Sequence, residues 1–326
     1  MDNLSPSLHN GLHIGLQNQL QKGLKNGGAL LALALLVLFN LLFTDSFLSL
    51  QTLNVNLTQV TAIVIVGVGM TLVIATGGID LSVGALMAIA GTLAPLVFQA
   101  LPGPLGLALG IALPILVAAA CGCFNGWLVT RFHIQPIVAT LVLFIAGRGV
   151  AQVLTNGNLL PFANDGFAVL GKGKLLGVPV QVLLMLAIVL VASWMLRRTV
   201  FGRYIVATGA NARAAHLSGI PAARIKVAVY ALCGALAGLA GLITVSINAS
   251  SDANQNGLGM ELDAIAATAV GGTLLAGGRA NIFGTLVGAL IIQLMRYTLL
   301  AHGVPDAAAM LAKAAIIVVA VWVQKR

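Results

Sequence analysis

Residues 197–226 read Arg197-Arg-Thr-Val-Phe-Gly-Arg-Tyr-Ile-Val-Ala-Thr-Gly-Ala-Asn-Ala-Arg-Ala-Ala-His-Leu-Ser-Gly-Ile-Pro-Ala-Ala-Arg-Ile-Lys226. They hold six basic residues, Arg197, Arg198, Arg203, Arg213, Arg224 and Lys226, and no acid. The stretch interrupts a chain made mostly of long apolar runs. A purely basic loop between two membrane spans stays in the cytoplasm, so it orients everything on either side of it. Its middle reads as a short capped helix. Asn211 suits the N-cap, Gly219 suits the C-terminal stop, and Pro221 forbids continuation. Between them, Arg213, Ala214, Ala215, His216 and Ser218 belong to a rod about 10 Å long. Tethered to a span at each end, such a rod can transmit a push from a cytoplasmic partner. The bland alternative is a helix lying on lipid head groups, which its weak amphipathicity opposes.

Hydrophobic residues make up 59% of the 326 and charged residues 8%. A soluble domain carries about 25% charge, so the chain reads as an all-α integral membrane protein. The net charge of +9 does not point to nucleic acid, because the basic residues are thinly spread over loops. Cys121, Cys123 and Cys233 sit in apolar, Gly-rich runs with no metal-ligand spacing, so no metal is expected. Residues 1–26 read as a cytoplasmic tail and not as a cleavable signal.

About ten transmembrane helices are expected, near 28–44, 53–75, 82–99, 104–129, 136–154, 179–196, 227–248, 262–278, 280–300 and 307–323. They form one membrane domain over 27–326, with both ends inside. Lys22, Lys25, Arg131, Arg279 and Lys325-Arg326 then obey the positive-inside bias, while Lys172 and Lys174 fall outside. Five spans followed by five would leave the halves opposite in orientation, as in an inverted repeat. Small-xxx-small steps at Gly106/Gly110, Gly234/Gly238, Ala237/Gly241 and Gly284/Gly288 predict close helix packing. The 262–278 span is interrupted by Gly271-Gly272 and Gly277-Gly278. Residues 76–84, Thr-Gly-Gly-Ile-Asp-Leu-Ser-Val-Gly, are either a cytoplasmic turn or a broken helix near a pathway.

No enzyme constellation is visible. Gly166-Phe-Ala-Val-Leu-Gly-Lys172 starts like a phosphate loop, but Gly173 replaces the metal-holding hydroxyl. Asp80, with Ser82 beside it, is an acid in an apolar region: either a helix cap or a gate. Arg148 lies inside the fifth span and could pair with Asp80 or meet a hydroxyl-rich ligand. Gln152 and Asn156 would share its face if the helix persists. Asp252, Glu261 and Asp263 form an acidic outer set. They read either as helix-terminal acids or as a docking surface for an extracytoplasmic partner.

Several of these stretches together resemble permease subunits of ABC sugar importers of the ribose and galactofuranose type. They are Gly69 to Gly84, Ile134-Gln-Pro-Ile-Val-Ala-Thr-Leu141, Ala146-Gly-Arg-Gly149, Asn211 to Ile220, Glu261-Leu-Asp-Ala-Ile265 and Gly271 to Gly278. The likeness is strongest to the galactofuranose branch. It implies translocation of a monosaccharide across a bacterial inner membrane by alternating access. The implied partners are a cytoplasmic ATPase that binds ATP and Mg, a second permease (identical or sister) and a periplasmic sugar-binding protein. Residues 211–219 then become the coupling helix, and the chain itself needs no cofactor. The alternative is an ion-gradient-driven secondary transporter, in which Asp80 would carry the ion.

Overall fold

The structure, a computed structural model, describes residues 27–305 together with 307–312, 314, 315 and 318. The expected tail at 1–26, Lys313, Lys325-Arg326 and much of the span expected at 307–323 lie outside the described residues. Among the described residues the protein is almost entirely helical. Helix α1 is Gly27–Phe43. It is followed by α2 (Leu50–Ala75), α3 (Val83–Ala100), α4 (Pro104–Arg131), α5 (Pro136–Thr155), α6 (Asp165–Lys172) and α7 (Val180–Arg198). Then come α8 (Val200–Ala210), α9 (Ala212–Leu217), α10 (Ala222–Asn248), α11 (Met260–Val270) and α12 (Ile282–Ala301). Two-residue strands β1 (Leu160–Pro161) and β4 (Ser250–Ser251) pair on the outer side, and β2 (Lys174–Leu175) pairs with β3 (Val178–Pro179).

Among the described residues, seven helices are long and apolar enough to cross a membrane, so these residues do not establish the ten expected. Helix α1 has a shorter apolar length, and α11 has 11 residues, about 16 Å. The expected span at 262–278 is therefore no single helix. Gly271 and Gly272 end it, the latter with a φ of 79° that L side chains rarely adopt. The described helices do not establish a five-plus-five repeat.

Helix α2 is mostly buried, whereas α4 and α5 turn much of their apolar surface outward. Outward-facing leucines, valines and phenylalanines are what lipid accepts. Three of the four small-residue steps bring helix backbones together, whereas Gly106 meets the Leu101 carbonyl ahead of its own helix and Gly110 packs on the Phe98 ring. Gly122 and Gly234 bring α4 and α10 together, and Gly241 seats α10 on the backbone of Met87 in α3. Gly284 and Gly288 seat α12 on Gly271 and Ala267. In a bilayer, where no hydrophobic force separates helices from lipid, such close packing supplies much of the association. Interhelical amides add to it on the outer half: Gln293 donates to Gln59 at 2.7 Å and Asn40 to Thr298 at 2.7 Å.

The basic stretch is not a loop with one helix in it. Thr199 ends α7 and caps α8, accepting from the Gly202 amide at 3.1 Å. Helices α8 and α9 follow with only Asn211 between them.

Candidate translocation and coupling site

The 76–82 stretch is a broken helix. Gly77, with φ 80°, turns the chain at the inner end of α2, and the chain then climbs back into the protein. Asp80 and Ser82 are fully buried. The break lies beside the middle third of α10, because Asp80 reaches Cys233 and Met87 packs on Gly241. Irregular backbone at such depth needs partners, and three helices supply them. Thr140 of α5 accepts from the Leu81 amide at 3.1 Å. The Tyr230 hydroxyl of α10 donates to the Ile79 carbonyl at 3.3 Å. Asn125 of α4 donates to the Ser82 hydroxyl at 3.0 Å.

Asp80 serves the break itself. Its Oδ1 accepts from the Ser82 amide at 2.9 Å and from the Ser82 hydroxyl at 2.6 Å. It therefore stands at the start of α3, where the helix dipole favours negative charge. The N-cap position belongs to Ser82, whose side chain makes no cap bond. Asp80→Ala would strand two buried donors, each at a cost of about 1–3 kcal/mol. The expected result is a lower melting temperature for the purified protein, with Asp80→Asn, which keeps an acceptor, losing less. Equal losses for the two variants would remove the acceptor role.

Arg148 does not pair with Asp80. Its Nη1 donates to the carbonyls of Ala253 (2.9 Å), Asn254 (3.3 Å) and Asn256 (2.9 Å). Gln152, one turn on, donates to Asn254 Oδ1 at 2.7 Å. Helix α5 thus clasps the segment that returns from the outer side toward α11. Asp252 shapes the same segment, accepting from the Asn254 amide at 2.8 Å. Asn256 then donates to the Met87 carbonyl at 2.8 Å. Asn156 is not in this group. It is the left-handed C-cap of α5, with φ 51°, and is exposed.

Glu261 and Asp263 are buried in the first turn of α11. A folded outer partner cannot dock on them, so of the three expected acids only the part-exposed Asp252 stays near the surface. Glu261 instead lies against α3, where a Cβ on Gly84 would meet its Oε2 at 2.6 Å. The N-termini of α3 and of the short α11 therefore meet inside the protein. Discontinuous helices meeting at mid-depth are a recurrent way of building a transporter's substrate region.

Helix α9 carries the expected caps. Asn211 Oδ1 accepts from the Ala214 amide at 3.0 Å. The Gly219 amide reaches the His216 carbonyl at 3.0 Å and the Ile220 amide the Ala215 carbonyl at 3.0 Å, the paired bonds of a Schellman stop. Gly219 has φ 80°. Arg213, Ala214, His216 and Ser218 are exposed, while Ala215 faces the protein. The sequence reading passed over Leu217, which is 81% exposed at the end of this helix. It also missed Asn125, Thr140 and Tyr230. Their polar groups inside apolar spans were the available signal.

A family model described as branched-chain amino acid transport system / permease component matches residues 53–321. The chain belongs to that family. It is 41% identical to the ribose import permease protein RbsC of Escherichia coli over 302 residues, covering 91% of this chain and 93% of that one. It is also 41% identical to the galactofuranose transporter permease protein YtfT of Escherichia coli over 277 residues, 83% and 78% of the two chains. The L-arabinose ABC transporter permease protein AraH of Azospirillum brasilense is 35% identical over 268 residues, 82% and 78%. Equal identity to a ribose and a galactofuranose permease does not choose between those sugars. No solved structure matches the chain significantly.

Proposed function

We propose that this chain is the membrane-spanning subunit of an ATP-driven importer of a monosaccharide, ribose, galactofuranose or a close relative, in a bacterial inner membrane. Near-full-length similarity to named sugar import permeases carries the proposal. ATP and Mg belong to a cytoplasmic ATPase, and a periplasmic binding protein delivers the sugar. A second permease, identical or sister, completes the pathway. The described residues make nine crossings if α1 spans and 249–270 crosses as a turn-rich segment plus α11.

The sugar-facing wall is assigned to Arg148, Gln152 and Asn254. The Gln152–Asn254 bond is solvent-accessible, yet it joins α5 to a segment inside the bundle. Polar groups at membrane depth face a wet cavity and not lipid. Asp80 gives one oxygen to Ser82, while its Oδ2 and Glu261 Oε2 are buried without a hydrogen-bond partner, so similarity to import permeases, and not a lack of buried acids, sets the ion-gradient alternative second. The decisive experiment reconstitutes the chain with its genomic ATPase and binding protein in vesicles. ATP-dependent uptake of labelled ribose or galactofuranose supports the proposal; uptake driven by an ion gradient without ATPase would reverse it.

The α9 surface, Asn211 to Gly219, is assigned to the ATPase. Leu217 is the apolar contact for a groove on that partner, with Arg213 and His216 around it. An anchor of this kind is worth about 2 kcal/mol or more, so Leu217→Asp should weaken ATPase retention about 30-fold. Co-purification in mild detergent checks this. Undiminished ATPase with Leu217→Asp would move the docking site elsewhere.

A further inference from the structure

The inner turns of the two broken segments meet at one place, and the end of α8 lies between them. Gly209, in the last turn of α8, packs on the Ala75 carbonyl, and a Cβ there would stand 2.6 Å from the Gly278 amide nitrogen. The Gly278 amide donates to the same Ala75 carbonyl at 3.0 Å. A Cβ on Gly277 would be 3.0 Å from the Gly209 carbonyl and 3.0 Å from both Cα and N of Gly77. Gly77, Gly277 and Gly278 all have positive φ, 80°, 92° and 78°. Three chain segments therefore touch backbone to backbone, with no side chain between them to absorb a displacement.

What leaves this contact in each direction gives it meaning. One residue past Ala210, Asn211 caps α9. From Gly77 the chain runs through Asp80 to α3. Gly277-Gly278 links α11 to α12. The start of α3 and the far end of α11 meet at Gly84 and Glu261. A movement of α9 thus reaches both short helices through backbone alone.

We propose that Gly77, Gly209, Gly277 and Gly278 form a coupling joint that transmits the ATPase-driven movement of α8–α9 to the two broken segments at once. Gly209 is a positioning residue, acting on the pathway through the turns that it touches. The proposal rests on the assignment of α9 to the ATPase.

Two substitutions disturb the joint in opposite ways while sparing the docking face. Gly209→Ala wedges it open. Ala210→Gly removes a methyl that stands 3.1 Å from where a Gly278 Cβ would be, loosening the contact with only a mild loss of helix propensity at the end of α8. In vesicles holding the full importer, sugar moved per ATP hydrolysed is measured per assembled complex. We expect both variants to keep their ATPase and to lose about fivefold or more of that ratio, the scale of a broken coupling. An unchanged ratio in both variants, or transport that falls only in proportion to assembled complex, would overturn the joint. If instead a permease with residues 212–218 replaced by a Gly-Ser linker and no other change keeps its ATPase, the docking assignment fails, and the joint fails with it.

Discussion

Gly84→Val is expected to abolish the folded permease. A Cβ at Gly84 runs into the Gly257 carbonyl and comes within 2.6 Å of Glu261 Oε2. Valine adds two further methyls. The opposing residue is itself a glycine in a positive-φ conformation, 71° at Gly257, and a Cβ there would meet Met87 Cβ at 2.8 Å. Neither backbone can yield without separating α3 from the start of α11. Over-packing an ordinary core site costs about 1–3 kcal/mol, occasionally more. Here both obstacles include backbone, so the upper end or beyond is expected, a large part of the total stability of about 5–15 kcal/mol of a typical domain. Size-exclusion chromatography of fluorescent fusions should show loss of the monodisperse peak. Gly149→Ala is the control: nothing lies within 4 Å of a Cβ there, and α5 should gain up to about 1 kcal/mol of helix propensity. A Gly84→Val protein as abundant and as heat-stable as wild type would show that α3 and α11 are not packed as described.

Arg148→Met should leave a folded protein that no longer transports. The substitution removes the donor to three carbonyls and frees Ala253, Asn254 and Asn256. Bonds to charged groups contribute about 1.5–3 kcal/mol each, though three acceptors share the two hydrogens of one nitrogen, so the sum is smaller. Hydrogen exchange should speed up across 252–258 and stay unchanged in α2. Arg148→Lys should recover little, since one ammonium on a flexible stem lacks the planar fork of guanidinium. Unaltered exchange at 252–258 in Arg148→Met would mean that the segment is held by Asn256 and Asp252 without α5.

The apolar runs placed every long helix to within a few residues, because lipid demands about 20 apolar residues in a row. The same rule misled at 262–278. Composition there is apolar throughout, but Gly271-Gly272 ends the helix and a turn follows. Helix α8 escaped notice because its Arg203 and its basic neighbours look like solvent-exposed loop. The caps of α9 were legible, since Asn, Gly and Pro act locally. The partners of Arg148 were not. Backbone carbonyls have no sequence signature, and an acid elsewhere, Asp80, was the more visible candidate. Glu261 and Asp263 looked like outer-surface groups because nothing in the sequence tells how deep the chain dips after Asn248.

Arg148 grips 253–256 by main chain only. Arg148 would hold any residues at those positions equally well, and Asn254 and Gln255 leave their side chains exposed beside it. Side chains at 254 and 255 can therefore change without loosening the Arg148 grip, with Asn254 giving up only its bond to Gln152. A lineage built this way can drift from one sugar to another by small, tolerated steps, and relatives 35–41% identical to this chain carry ribose, galactofuranose and arabinose in their names.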